Sequence, residues 1–137
     1  MQKTFIHAAL LTLLSATGVV DAGGVVVIGN ANVKRLDATT VAKIFTGKVI
    51  EVDGVPVTAI NAKSGSPIRE QFLQLYLNQD EDKYTAYWTV RRYIGKGAWP
   101  KEMTGSANVI NYVNATPGAI GYIDEADVKP GLNVLLK

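Results

Sequence analysis

The sequence predicts one α/β domain in which helices flank a mixed β-sheet. Apolar runs typical of strands alternate with segments that repeat apolar residues at helical spacing. No low-complexity linker and no internal repeat divides the sequence. Its 137 residues suffice for one hydrophobic core, but not for two lobes.

The first half of the chain predicts two strands with a short helix between them. Residues 24–28 form a dense β-branched run, which is typical of a buried strand. Asp37 is the predicted N-cap of a helix over residues 38–45, which Gly47 ends. Asp53-Gly54 indicates a turn before a second strand over residues 55–60.

A second helix begins after a loop of small residues. Ser66 is its predicted N-cap, and Pro67 suits the first helical position because a missing N–H costs nothing there. Helical spacing predicts that four apolar side chains of this helix face inward: Ile68, Phe72, Leu75 and Tyr76.

The remainder predicts two helices and two strands. Asp80 caps a third helix, residues 94–105 are irregular, and Ser106 caps a fourth helix that 116–118 (Thr-Pro-Gly) ends. Strands follow over residues 119–123 and 132–136. Helical spacing puts Tyr84, Tyr87, Trp88 and Arg91 on one side of the third helix. In the fourth helix it predicts that Val109, Ile110 and Val113 face inward. We interpret the aromatic group of Tyr84, Tyr87, Trp88 and Tyr93 as core packing, with the neighbouring arginines left in solvent; the alternative is a surface that stacks on nucleic-acid bases.

Residues 1–22 are predicted to be a signal peptide. Lys3 supplies a positive start, residues 5–14 are apolar but too short to span a bilayer, and Ala22 suits cleavage by signal peptidase. An uncleaved anchor is the alternative. The prediction is an exported, periplasmic domain over residues 23–137, without membrane insertion.

Composition excludes several kinds of chemistry. The chain has no cysteine, and its one histidine, His7, lies in the predicted signal, so thiol or histidine nucleophile systems and an ordinary zinc site are excluded. The formal net charge of +2 is too small to favour nucleic acid. The carboxylates of 80–82 and 124–127 are interpreted as a helix start and a turn. We therefore predict no enzyme, no metal and no cofactor.

The loop before the second helix is the first candidate binding site. A strand, a loop and a helix start follow in order there, which directs backbone N–H groups and the positive end of a helix dipole at one place. Ser64, Gly65 and Ser66 supply donors, and Arg69 supplies a permanent cation with forked donors. This pattern predicts an anion site; a well-capped helix without a ligand is the alternative. The spacing is not that of a Walker loop.

A second loop leads to a helix start at Thr104, Gly105 and Ser106, after the segment 95–100 (Gly-Lys-Gly-Ala-Trp-Pro). Two such starts at one edge would make a better anion pocket than either alone. Two unrelated capped helices are the alternative.

Several segments, in order, resemble one family. They are 41–48 (Val-Ala-Lys-Ile-Phe-Thr-Gly-Lys), the Gly65-Ser66 loop with Phe72 six residues after Ser66, 95–100, and 116–122 (Thr-Pro-Gly-Ala-Ile-Gly-Tyr). Together they resemble the second lobe of the phosphate-binding subunit of phosphate ABC importers, a type II periplasmic binding protein, and more closely the short single-lobe proteins of this kind.

The resemblance implies a solute-binding protein for phosphate or a similar oxyanion, linked to phosphate uptake. It implies as partners the membrane component of an ABC transporter or a second copy of the chain. Matching by Phe72 places the family's serine at Ser66 and its arginine at Ala62, so Arg69 would replace the lost charge from another position. The other hypothesis is a partner-binding module, a sensor or transporter accessory, that kept the fold and lost the ligand, with Trp99 as a surface anchor.

Overall fold

The computed structural model describes residues 24–137. The predicted signal peptide and its cleavage site lie outside these residues. The elements are β1 (Val25–Gly29), α1 (Ala38–Phe45), β2 (Glu51–Val52), β3 (Val55–Pro56), β4 (Thr58–Ala62), α2 (Pro67–Phe72), a π-helical turn (Leu73–Leu77), α3 (Glu81–Tyr93), β5 (Lys101–Met103), α4 (Ser106–Ala115), β6 (Ala119–Asp124), a 3₁₀ turn (Glu125–Asp127) and β7 (Asn133–Leu136). Within residues 24–137, no helix has the length and apolar character to cross a bilayer.

The predicted mixed sheet is present. Its strand order is β5-β4-β6-β1-β7, and β4 pairs in parallel with both β5 and β6. Strand β1 is antiparallel to its neighbours β6 and β7. Every residue of β1 is buried, as the continuous β-branched run predicts for a strand covered on both faces.

Helices cover both faces of this sheet. Because successive strand residues point to opposite faces, Val25 and Val27 join one core cluster while Val26 and Ile28 join another. The first cluster contains the buried side chains of α1, α2 and α3, and the second contains those of α4. Helices α2 and α4 therefore lie on opposite faces.

Two strand predictions are corrected by the structure. The run predicted as one strand over residues 55–60 is divided: Val55–Pro56 pairs back on Glu51–Val52 around the Asp53-Gly54 turn, and β4 begins at Thr58. The segment predicted to be irregular contains β5, which pairs with β4 at the edge of the sheet. Its three residues, two of them charged, are too few to show an apolar alternation.

The second helix begins as predicted but changes its periodicity. Ser66 is the N-cap and Pro67 follows it, and Phe72 is buried. The prediction that Leu75 faces inward is wrong: Leu75 is 67% exposed, and Leu73 is buried in its place. The cause is the π-helical turn, whose wider i→i+5 spacing shifts the buried face along the chain.

The predicted N-cap of the third helix and the burial of two of its aromatic side chains are confirmed. The Asp80 carboxylate accepts a hydrogen bond from the Lys83 N–H at 2.8 Å. Tyr84 and Trp88 are buried in the core and Tyr87 is half-buried, as interpreted. The interpretation is wrong for Tyr93, which is 91% exposed because it lies at the last residue of α3, beyond the part that packs on the core. The polar groups of Tyr84 and Trp88 donate to the same backbone carbonyl, that of Phe45, which ties α3 to α1.

The fourth helix ends where the Thr-Pro-Gly segment begins. Gly118 has a φ of 75°, and a Cβ there would overlap the carbonyl oxygen of Pro56. Its N–H donates to Asn32 Oδ1 at 2.9 Å, and its carbonyl oxygen accepts from the Thr58 N–H at 2.9 Å. Gly118 thus lies against Pro56 of the β2–β3 hairpin and is hydrogen-bonded to the first residue of β4.

Candidate functional site

A crevice opens where β4 and β5 end. These neighbouring parallel strands lead into α2 and α4, which lie on opposite faces of the sheet. Helices that diverge in this way leave a gap at the carboxyl edge of the strands, the place where open α/β sheets bind ligands.

The crevice brings the two predicted helix starts together. Ser66 lines it from the start of α2, and Thr104, Gly105 and Ser106 line it from the start of α4. Its volume is about 200 Å³. The remaining lining is Ala62, Lys63, Ile68, Val109, Tyr122 and Ile123.

The start of α4 offers backbone N–H groups beside this crevice. The first turn of a helix has no intrahelical acceptors for its N–H groups, and α4 lacks a side-chain cap. Ser106 was expected to be that cap; the structure gives the position to Gly105, whose φ of 80° suits glycine. The Ser106 hydroxyl instead donates to Asp127 at 2.6 Å. The first turn of α4 is consequently open to an anion.

The start of α2 contributes less. Pro67 removes one N–H, and the Ser66 hydroxyl donates to the Lys63 carbonyl at 2.6 Å. Ser64 and Gly65, also expected at the site, lie outside the crevice lining. The Ser64 hydroxyl donates to Glu81 at 2.8 Å.

Arg69, the expected cation, is directed into the protein. It is 1% exposed. Its Nε donates to Glu81 Oε2 at 2.9 Å and its Nη2 to Glu81 Oε1 at 2.7 Å. Its Nη1 donates to Glu102 at 2.7 Å and to the carbonyl of Ala62 at 3.2 Å. Four of the five N–H donors of the guanidinium are thereby used.

This arrangement, which we call the Arg69 cluster (Arg69, Glu81 and Glu102), fixes the ends of several elements. Burial lowers the pKa of Arg69, but the hydrogen bond and charge of Glu81, with Glu102, outweigh it and raise the pKa. The guanidinium stays charged, and with two carboxylates the cluster carries one net negative charge. It joins the end of β4 to α2, α3 and β5, which frame the crevice.

The Arg69 cluster could have been anticipated only in part. Arg69 lies three residues before Phe72, so helical spacing puts it on the buried face. Its partners are 12 and 33 residues away, and no local pattern reports them. From the sequence alone, Glu81 is recognisable only as part of a helix start.

Lys63 is the cation that sequence reasoning missed. It is exposed and lines the crevice directly after β4. The ion pairs found within residues 24–137 both belong to Arg69, so no carboxylate there neutralises Lys63 within 4.0 Å. The signal that could have found it is its position, between the strand end and the helix cap.

Two other concave regions do not suit a small oxyanion as well. A cavity of about 350 Å³ is lined by Glu70, Asp80, Glu81 and Asp82 with two amides, which would repel an anion. Residues 96–100 border a separate groove of about 310 Å³ with Trp88, away from the crevice. In the described part of the chain, no group of three or more potential ligands is placed to hold a metal ion.

Three solved structures are similar to this chain. One, described as a phosphate ABC transporter substrate-binding protein with bound phosphate from Clostridium perfringens, has a TM-score of 0.65 and 21% identity over 82% of this chain and 44% of its own. An ABC-type phosphate transport receptor from Vibrio cholerae has a TM-score of 0.65 and 14% identity over 82% and 45% of the two chains. PstS from Borrelia burgdorferi has a TM-score of 0.60 and 19% identity over 83% and 47%.

These likenesses confirm the predicted fold. The chain spans less than half the length of each of the three proteins, and it has the architecture of a single lobe of a periplasmic binding protein. None of the three is described as an enzyme. No family model matches the chain, and no curated protein matches its sequence.

Proposed function

We propose that the chain is an exported solute-binding protein that holds phosphate or a similar oxyanion in the crevice between α2 and α4. The supporting observation is that Ser66 and Thr104–Ser106, from two helix starts, line one crevice together with Lys63, which has no ion pair within residues 24–137. The similar proteins add support, because the one from Clostridium perfringens is described with bound phosphate. Periplasmic location and a link to phosphate uptake through an ABC transporter are parts of this proposal.

In this proposal the residues have distinct roles. The N–H groups at the start of α4 and the Thr104 hydroxyl donate to the anion, and Lys63 supplies its countercharge. Arg69 holds the strand and helix ends in place instead of touching the ligand. Because one lobe leaves the crevice open to water, each charged contact is weakened, and we expect weaker binding than in a cleft closed by two lobes. A second copy of the chain or a transporter component that covers the crevice would strengthen it.

Calorimetric titration of the purified protein with phosphate, sulfate and arsenate tests the proposal. Lys63→Gln should weaken binding of each anion about tenfold, as expected for loss of one charge-assisted contact. Lys34→Gln, at an exposed lysine outside the crevice, is the matched control and should bind like the parent. Absence of saturable heat and of thermal stabilisation at millimolar concentrations of all three anions would refute binding of phosphate and of inorganic oxyanions like it.

A partner-binding module is the second candidate, favoured by one surface. Val90, Tyr93 and Ile94, at the end of α3, are 59%, 91% and 55% exposed. Large apolar side chains grouped in this way are typical of contact sites. Recovery of the same exported or membrane protein by the parent but not by Tyr93→Glu would support this function. Equal recovery by both would refute a role for this surface.

A further inference from the structure

We infer that the ligand of the crevice is a small, singly charged organic oxyanion with a short apolar group, such as an alkyl sulfonate or carboxylate, and that inorganic phosphate is a poorer ligand. This inference rests on the proposed function, since it assigns the class of anion to the same crevice. It is carried by the crevice wall and by the charges around it.

An apolar wall makes up most of the lining besides the donors. It consists of the buried Ala62, Val109, Tyr122 and Ile123 and the half-buried Ile68. Tyr122 adds no free polar group, because its hydroxyl donates to Asn61 at 3.0 Å and accepts from the Ala62 N–H at 3.0 Å. Oxygens of an inorganic anion that faced this wall would lack hydrogen bonds, whereas an alkyl group would be buried favourably.

The formal charges at and beside the crevice oppose a second negative charge on the ligand. Lys63 is one available cation, and the Arg69 cluster carries one net negative charge. Asp127, held at 2.6 Å by the Ser106 hydroxyl, adds another carboxylate at the start of α4. The balance of these five groups is one negative charge, so a monoanion is favoured over a dianion.

The size of the crevice limits the apolar group. Pockets for drug-sized ligands have volumes of about 300–1,000 Å³. At about 200 Å³, this crevice suits an oxyanion that carries only a few carbon atoms.

Calorimetric titration of the full chain at pH 8.5, where inorganic phosphate is mainly the dianion, with methanesulfonate, propane-1-sulfonate, sulfate and phosphate tests the inference. Propane-1-sulfonate should bind about tenfold tighter than methanesulfonate, because two more methylenes are buried. Both should bind tighter than the two inorganic ions. If phosphate or sulfate binds as tightly as propane-1-sulfonate, the inference is overturned while the proposed function stands. If none of the four binds, both are overturned.

Two variants locate the apolar group. Ile68→Ser should reduce the tenfold gain from the longer chain to less than threefold, whereas Leu75→Ser, at an exposed leucine of the following turn, should leave the gain intact. An unchanged gain in Ile68→Ser would overturn the assignment of this wall. Nuclear magnetic resonance of the parent provides an independent measurement: propane-1-sulfonate should shift the Val109 methyl signals more than methanesulfonate does, and equal shifts would overturn it.

Discussion

Replacing Glu81 with glutamine tests whether the buried guanidinium of Arg69 depends on that carboxylate. Arg69 is 1% exposed, and Glu81 accepts two of its hydrogen bonds, at 2.9 and 2.7 Å. Glutamine keeps the shape and one acceptor oxygen, but it turns an NH₂ group towards a donor and removes the countercharge. Breaking a fully buried ion pair costs about 3–5 kcal/mol, and a hydrogen bond to a charged group contributes about 1.5–3 kcal/mol. Because the Glu81 side chain is 26% exposed, we expect the free energy of unfolding to fall by about 2 kcal/mol.

Two further substitutions separate the possible causes of this loss. Glu102→Gln removes a carboxylate that makes one contact with Arg69 and is 45% exposed, so about 1 kcal/mol or less is expected. Asp82→Asn is the matched control, since Asp82 also lies in the first turn of α3, is exposed and has no ion pair within residues 24–137. It loses only the favourable charge near the helix dipole, about 0.5 kcal/mol.

Urea denaturation of the four proteins, with linear extrapolation, measures these differences. With a slope near 2 kcal/mol/M, the Glu81→Gln midpoint should fall by about 1 M. A loss in Asp82→Asn equal to that in Glu81→Gln would assign the effect to the helix dipole. A larger loss in Glu102→Gln than in Glu81→Gln would refute the reasoning, because the two-bond contact would then not dominate.

Three other predictions concern the fold. Gly118→Ala should cost about 3 kcal/mol or more in unfolding free energy, because the added Cβ clashes with a carbonyl oxygen at a position whose φ is already unfavourable for alanine. Gly54 has a similar φ, but a Cβ there would meet no other atom, so Gly54→Ala should cost about 1 kcal/mol. Chemical denaturation checks this pair, and equal losses would contradict the clash. Leu73→Ala should cost about 2–5 kcal/mol because Leu73 is buried, and Leu75→Ala less than about 0.5 kcal/mol because Leu75 is exposed. Thermal unfolding measures both losses, and the reverse order would contradict the shift of the buried face by the π-helical turn. Burial raises the pKa of Tyr122 above its ordinary value of 10, so the unfolded chain releases this proton first as the pH rises. The contribution of Tyr122 to stability is therefore complete below pH 10 and declines above it, by up to about 1.4 kcal/mol per pH unit. Thermal unfolding measured between pH 8 and 12 would detect this decline. A melting temperature that rises over this range would contradict the sign.

The sequence predicted those elements whose signals are local. Asp37 and Asp80 were identified as helix caps because a cap needs only a side chain and the N–H three residues later, and both bonds are present. The buried β1 was predicted because its β-branched run is continuous. Strand β5 was missed because its pairing with β4 is the main evidence for it. The π-helical turn was missed because ideal helical spacing assumes one period throughout.

For the candidate site too, features with a local signal could be predicted and those that depend on distant residues could not. The convergence of Ser66 with Thr104–Ser106 could be proposed from sequence because each helix start has its own local pattern, although their common edge depends on the order of β4 and β5. The role of Arg69 could not be predicted, since its carboxylate partners come from α3 and β5. A forked guanidinium fits a carboxylate of its own chain as well as a phosphate, so an arginine near a helix start does not by itself indicate a ligand.

The direction of Arg69 changes which groups determine affinity in the proposed crevice. With the guanidinium held by Glu81 and Glu102, the fixed donors are backbone N–H groups, and the mobile countercharge is Lys63. Backbone groups fix the geometry of an oxyanion at little entropic cost, because the helix already orders them. A lysine on a flexible stem in open solvent contributes a charge that salt screens. Binding that depends on such a lysine should therefore weaken as ionic strength rises. Contacts with the apolar wall, which includes Val109 and Ile123, should not weaken. The salt dependence of affinity thus separates the two contributions.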